Sequence, residues 1–239
     1  MNIILQKSTI KRKSAIQITG SKSESNRLLL LQALHPEFQI ENVSNSDDSR
    51  LMMNALKSTS EIIDIHHAGT AMRFLTAFFA IQEGREIILT GSDRMKERPI
   101  KILVDAIQSL GAQIEYLEND GFPPLRITGH NLTQSKVTLQ ANVSSQYISA
   151  LLLIASKLDH GLELTLEGDI TSIPYIKMTL SLLDEIGVKS TFIDNVITIS
   201  IRFVSKFSSV PLLKRYNFFK NSKTKKILRT MPQIFMFMA

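Results

Sequence analysis

Three stretches of this 239-residue chain place hydroxyl, amide and cationic side chains at the entrance to an apolar segment. The first is Gly20-Ser21-Lys22-Ser23-Glu24-Ser25-Asn26-Arg27. The second is Gly69-Thr70-Ala71-Met72-Arg73. The third, Val143-Ser144-Ser145-Gln146-Tyr147, has no cation but three side chains that can hydrogen-bond. A helix start leaves backbone N–H groups unpaired and carries a partial positive charge, so it attracts anions, phosphate above all. Lys adds a mobile point charge and Arg a planar fork that grips phosphate or carboxylate with two bonds. A cation there opposes the helix dipole unless an anion is present. Ser23, Ser25, Thr70 and Ser144 could equally be plain N-caps, the simpler reading of any one start alone. Three starts in corresponding positions point instead to a shared polyanionic ligand.

A further cluster, Arg94-Met95-Lys96-Glu97-Arg98-Pro99-Ile100, carries three cations in five residues. It falls on a turn between a strand-like and a helix-like stretch. Pro99 suits a first helical turn, which would set Arg98 at the helix entrance; a solvated charge run is the bland alternative. His66 and His67 are adjacent and, on a strand, would face opposite sides. No other His or carboxylate stands at metal-ligand spacing, so no metal is expected. Neither a Walker motif nor a dinucleotide fingerprint occurs. Asp47-Asp48 are expected to cap a helix that begins near Ser49.

The elements that would position these residues repeat. From Gly69 the chain reads an apolar segment to Ile81, a strand-like Glu86–Thr90, an amphipathic Ile102–Leu110 closed by Gly111, then strands over Gln113–Leu117 and Leu125–Thr128. From Ser144 the same order recurs: Tyr147–Leu158, Leu162–Leu166, Ile176–Ile186 closed by Gly187, Lys189–Ile193 and Val196–Ser200. A shorter version precedes both, with Arg27–Leu34, a strand over Glu37–Val43, a helix over Leu51–Leu56 and a strand over Glu61–Ile65. Glycine after the second helix of a unit fits a left-handed C-cap. The expectation is an α/β domain of three repeated helix-strand-helix-strand units.

Bulk properties narrow the classes. The chain has no cysteine, which excludes disulfides, thiolate nucleophiles and Cys-ligated zinc. No apolar run is long enough to span a bilayer, and the first residues do not read as a signal peptide, so a cytoplasmic location is expected. The formal charge of +6 is misleading: residues 201–239 hold nine of the 28 basic residues and none of the 22 acidic ones. Residues 1–200 therefore carry 19 basic against 22 acidic side chains, a net −3. The basicity belongs to the tail and is no sign of nucleic-acid binding. Six of the twelve Phe also fall in that tail, which lacks the repeat's turn signals. Its composition resembles an AT-rich stretch translated in a shifted frame; a basic binding tail is the competing reading.

Gly20–Arg27, Gly69–Arg73, Leu89-Thr90-Gly91 through Arg94–Ile100, Phe122-Pro123-Pro124-Leu125-Arg126, Val143–Gln146 and Pro174-Tyr175-Ile176 together resemble the EPSP synthase (3-phosphoshikimate 1-carboxyvinyltransferase) family, in order and near spacing, over about residues 1–200. The resemblance implies transfer of the enolpyruvyl group of phosphoenolpyruvate to shikimate 3-phosphate with release of phosphate, and no metal or organic cofactor. Its partners would be those two small anions, with no nucleic acid and no membrane, in a monomer. By the same resemblance Lys22, Ser23, Arg27, Ser144, Ser145, Gln146, Ser172 and Tyr175 would bind shikimate 3-phosphate. Lys22, Gly69, Arg98 and Gln146 would bind phosphoenolpyruvate, with Arg73 beside them. His67 stands where the family often has Asn, and Phe74 where it often has Pro. Residues 1–14 would form a strand packed in a second domain, 15–200 the amino-terminal enolpyruvyl transferase domain, and 201–239 an atypical basic tail. The family's general base and catalytic Lys lie in a second domain that nothing after Ile201 resembles, so this chain is expected to be a truncated, inactive form. UDP-N-acetylglucosamine enolpyruvyl transferase is the neighbouring reading, weakened by the missing Cys. A non-catalytic anion-binding domain and a gene remnant are the readings from other classes.

Overall fold

A computed structural model describes residues 18–200. The strand expected over 1–14 and the tail over 201–239 lie outside them.

The chain opens with two helices, α1 (Lys22–Leu34) and α2 (Asp47–Lys57). Two six-element units follow. The first runs β1 (Ile62–Asp64), α3 (Gly69–Ala80), β2 (Glu86–Thr90), α5 (Lys101–Ser109), β3 (Gln113–Tyr116) and β4 (Leu125–Thr128), with a one-turn helix α4 (Asp93–Lys96) inside its connection. The second runs β5 (Lys136–Gln140), α6 (Ser145–Ile154), β6 (Leu162–Glu167), α7 (Ile173–Glu185), β7 (Lys189–Ile193) and β8 (Val196–Ser200). Each unit makes one four-stranded sheet, in the orders β1-β2-β4-β3 and β5-β6-β8-β7. Within each, the first two strands are parallel and are joined through a helix, as a parallel pair requires. The last two form an antiparallel hairpin.

The repeat expected from the sequence is present but phased differently. The strand expected over Glu61–Ile65 does not close the short opening stretch; as Ile62–Asp64 it pairs with β2 and opens the six-element unit that follows. Its counterpart, Lys136–Gln140, was not anticipated, although its burial alternates residue by residue as a one-sided strand should. Starting the repeat at its most apolar helix hid the short strand before it. Glu37–Val43 forms no strand: Asn42 takes a left-handed φ of 54°, and the stretch pairs with no strand among the described residues. The glycines closing α5 and α7 behave as read, Gly111 at φ 110° and Gly187 at φ 85°.

Three helices form the centre. All twelve residues of α3 are buried, as are Ser145 and Tyr147–Ile154 of α6 and Leu29–Leu31 of α1. A helix apolar on every side has to sit inside a core. α1, α3 and α6 pack on one another, with α2 against α1 and α3, α7 against α1 and α6, and α5 against α3 and its own sheet.

Candidate functional site

The central helices begin at one end of the core. Arg27, sixth in α1, donates from Nη2 to Ser149, fifth in α6, at 2.8 Å, and from Nε to Thr179, seventh in α7, at 2.8 Å. Its guanidinium lies 5.3 Å from the ring of Phe74, sixth in α3. Four helices thus meet one cation within their first two turns.

Those starts differ in capping. Ser21 of α1 and Ala68 of α3 make no side-chain cap, so Ser23, Ser25 and Thr70 lie inside their helices and are not the caps they resemble in sequence. Ser144 does cap α6, accepting from the N–H of Gln146 at 3.3 Å. Uncapped starts keep their N–H groups available to a ligand. α2 begins at Asp47 with Ser46 as its cap, two residues earlier than expected, and Asp48 lies 3.6 Å from Lys22 Nζ.

Arg27 is 2% exposed. Its third hydrogen bond runs from Nη1 to the Ser23 carbonyl at 2.9 Å. Three of its five donors are thereby used, all on neutral acceptors, and two remain. Among the described residues no carboxylate forms a salt bridge with it. Burial pushes its pKa down to about 10, opposed by the nearby Tyr175 and Glu24. A buried cation with no direct ion pair is costly, and an anion at the helix starts would offset that cost. Tyr175 closes over the guanidinium at 5.8 Å, 44% exposed. It follows Ser172, which precedes α7 in a left-handed conformation at φ 59° that non-glycine residues adopt rarely.

A second region adjoins the first through Gln146, whose Nε2 donates to Thr70 Oγ1 at 3.2 Å. Here His67, Arg94, Met95 and Arg98 line a cavity of about 470 Å³. A Cβ built on Gly69 would overlap Arg98 Nη1 and stand 2.8 Å from its Cζ. Only glycine leaves the guanidinium that place. Arg73 is buried, and its pKa is lowered by that burial and further by Arg98. Its Nη1 donates to the Gly69 carbonyl and its Nη2 to the Pro99 carbonyl, each at 3.2 Å. Pro99 is not in the first helical turn as expected; Ile100 is the N-cap of α5, and Pro99 precedes it. His66 and His67 sit in a turn, not on a strand, with His66 at φ 51°. The described residues contain no cluster fit to hold a metal ion.

Lys22, Ser23 and Arg27 on α1, Ser144, Ser145 and Gln146 on α6, and Ser172 and Tyr175 at α7 thus lie at the shared helix starts, with Gly69 and Arg98 beside them. Sequence reading passed over Ser149 and Thr179, and gave Tyr147 no role beyond its place in the third motif. The available signal for Ser149 was its isolation in the apolar run from Tyr147 to Leu158.

Paired βαβ-hairpin units around three central helices, with Arg27, Arg73 and Arg98 near the helix starts, define the class of this protein by its architecture. The family description that matches residues 58–200 is EPSP synthase (3-phosphoshikimate 1-carboxyvinyltransferase). A relative of that name from Bacteroides fragilis is 51% identical over 181 residues, covering 75% of this chain and 44% of the relative. One from Mannheimia haemolytica is 42% identical over 202 residues, covering 72% and 47%. The solved EPSP synthase from Acinetobacter baumannii superimposes with a TM-score of 0.65 at 19% identity, over 77% of this chain and 47% of that one. The chain belongs to the EPSP synthase family. It spans rather less than half the length of the relatives it matches.

Proposed function

We propose that the helix starts of this chain bind shikimate 3-phosphate, and that the Arg98 cavity beside them takes phosphoenolpyruvate, for enolpyruvyl transfer between the two. The observation that carries the reading is Arg27, a buried cation at the meeting point of four helices, held only by neutral acceptors and with two donors left. In this reading Ser144 and Ser145 hold the phosphate of shikimate 3-phosphate at the α6 start. Ser23, Arg27, Ser172 and Tyr175 hold the rest, and Lys22 and Gln146 reach both substrates. Gly69 and Arg98 take phosphoenolpyruvate. The substrate hydroxyl adds across the enol double bond, its oxygen to the phosphate-bearing carbon as it gives up its proton, while the methylene carbon takes up a proton. The tetrahedral adduct then loses phosphate from that carbon and a proton from the new methyl, restoring the double bond. The cationic surroundings favour the phosphate leaving as an anion.

Calorimetric titration of the 239-residue chain with shikimate 3-phosphate tests this. Arg27→Ala is expected to weaken binding by roughly 10-fold to 150-fold, the value of about 1.5–3 kcal/mol for a hydrogen bond to a charged group. Arg98→Ala should leave that affinity within about 2-fold. The reverse pattern would exchange the two assignments. No binding by folded wild type would favour a gene remnant, and binding of phosphate without the shikimate ring would favour a generic anion-binding domain.

A further inference from the structure

The Pro99 carbonyl accepts two hydrogen bonds, from Tyr147 Oη at 2.8 Å and from Arg73 Nη2 at 3.2 Å. Both donors are rigidly seated. Tyr147 lies on α6 at 7% exposure and Arg73 on α3 at 5%, and the Arg73 guanidinium stands 6.0 Å from the Tyr147 ring. The accepting residue follows Arg98 directly. The other end of the Arg73 fork holds the carbonyl of Gly69, the residue against which the Arg98 guanidinium lies. Arg98 itself is exposed and has no ion pair among the described residues, so its own side chain does not fix its place. Its backbone is tied to Met95 at 3.0 Å, and Ile100 is tied to Gly121 at 2.9 Å.

We propose that Tyr147, with Arg73, is a positioning residue that clamps the Pro99 carbonyl and so holds Arg98 over Gly69. The inference rests on the reading that Arg98 meets phosphoenolpyruvate. The phenol hydroxyl connects α6, whose first residues serve the shikimate 3-phosphate region, to the turn that carries Arg98. One helix thereby sets the relative position of the two anion sites. The aromatic ring fills the core whether or not the hydroxyl is present, so Tyr147→Phe removes the clamp and keeps the packing.

The experiment compares the 239-residue chain as wild type, Tyr147→Phe, Arg98→Ala and the double variant. Phosphoenolpyruvate is titrated by NMR in the presence of shikimate 3-phosphate, and backbone amide exchange is followed over residues 95–101 without ligand. Loss of one hydrogen bond on a shared acceptor is expected to lower phosphoenolpyruvate affinity about 3-fold to 10-fold. Shikimate 3-phosphate affinity should be unchanged, and the melting temperature should fall by no more than about 2–4 °C. The loss should vanish in the Arg98→Ala background, because a clamp acting through Arg98 has nothing left to position. Amide exchange over the turn should accelerate in Tyr147→Phe. An equal loss with and without Arg98, an equal loss for shikimate 3-phosphate, or no loss at all would overturn the proposal. If the wild type binds no phosphoenolpyruvate, the reading of the Arg98 cavity fails, and the exchange measurement alone decides the clamp. Unchanged exchange in Tyr147→Phe would then reject it.

Discussion

At the residue scale, the site depends on charges kept unpaired. Arg27 and Arg73 are both buried, and both donate to hydroxyls, a thioether or carbonyls and never to a carboxylate. A carboxylate partner would stabilise either cation at rest and would compete with an anionic ligand for it. Arg98 follows the same logic in a more exposed setting, where the bare backbone of Gly69 makes room for its guanidinium. Gly69→Ala is therefore expected to push that guanidinium aside. The displaced group is the end of a flexible side chain, so the fold should lose no more than about 1 kcal/mol, as for most changes that leave the core intact. Phosphoenolpyruvate affinity should fall by at least about 5-fold, on the scale of a weakened charge-assisted contact, with shikimate 3-phosphate unaffected. Thermal unfolding and paired titrations check both parts. Equal weakening of the two ligands would show that Gly69 serves packing and not Arg98.

At the scale of elements, two of the three central helices begin without a side-chain cap. Their stability has to come from burial, because an isolated helix of about a dozen residues is marginal in water. α3 is buried along its whole length and α1 packs on α3 and α6, which makes this helix core intolerant of cavities. Leu151, fully buried in α6, lies two residues beyond Ser149, which holds Arg27. Leu151→Ala is expected to cost about 2–5 kcal/mol. Denaturant unfolding measures that cost, and a loss below about 1 kcal/mol would show that the core around α6 is loosely packed. The same burial explains why polar residues on these helices are few and purposeful. Ser149 and Thr179 bond to each other at 3.0 Å as well as to Arg27, so these two hydroxyls between α6 and α7 are spent on the cation.

At the scale of the whole molecule, the described residues bring Arg27 of α1, Arg73 of α3 and Arg98 beside Gly69 near the starts of the central helices. The chain covers 44% of the length of its Bacteroides fragilis relative, and the family resemblance puts the general base and a catalytic Lys in the part not matched. The 239-residue polypeptide alone is accordingly expected to show no carboxyvinyl transfer. General acid–base help is worth about 10²–10⁴-fold, and the water-excluding closure of a second domain would be lost with it. A phosphate-release assay on the purified chain with both substrates checks this. Turnover near that of the full-length relatives would show that these residues suffice. The described residues include no helix long and apolar enough to cross a membrane.

The sequence by itself determined the local order of this protein. Periodicity, glycine C-caps and the Gly69 and Ser144 helix starts were legible because they depend on residues a few positions apart. The family followed from several such motifs in one order. Phasing the units was not legible: whether Ile62–Asp64 closes one sheet or opens the next depends on its partner, Ile88, 26 residues away. Nor were the roles of Ser149, Thr179 and Tyr147. A lone hydroxyl in an apolar helix reads as a tolerated exception until the fold shows what it faces. Arg27 reaches Ser149 across 122 residues and Thr179 across 152. Only tertiary packing sets such partners, because the desolvation that makes an unpaired cation costly arises when the helices close around it.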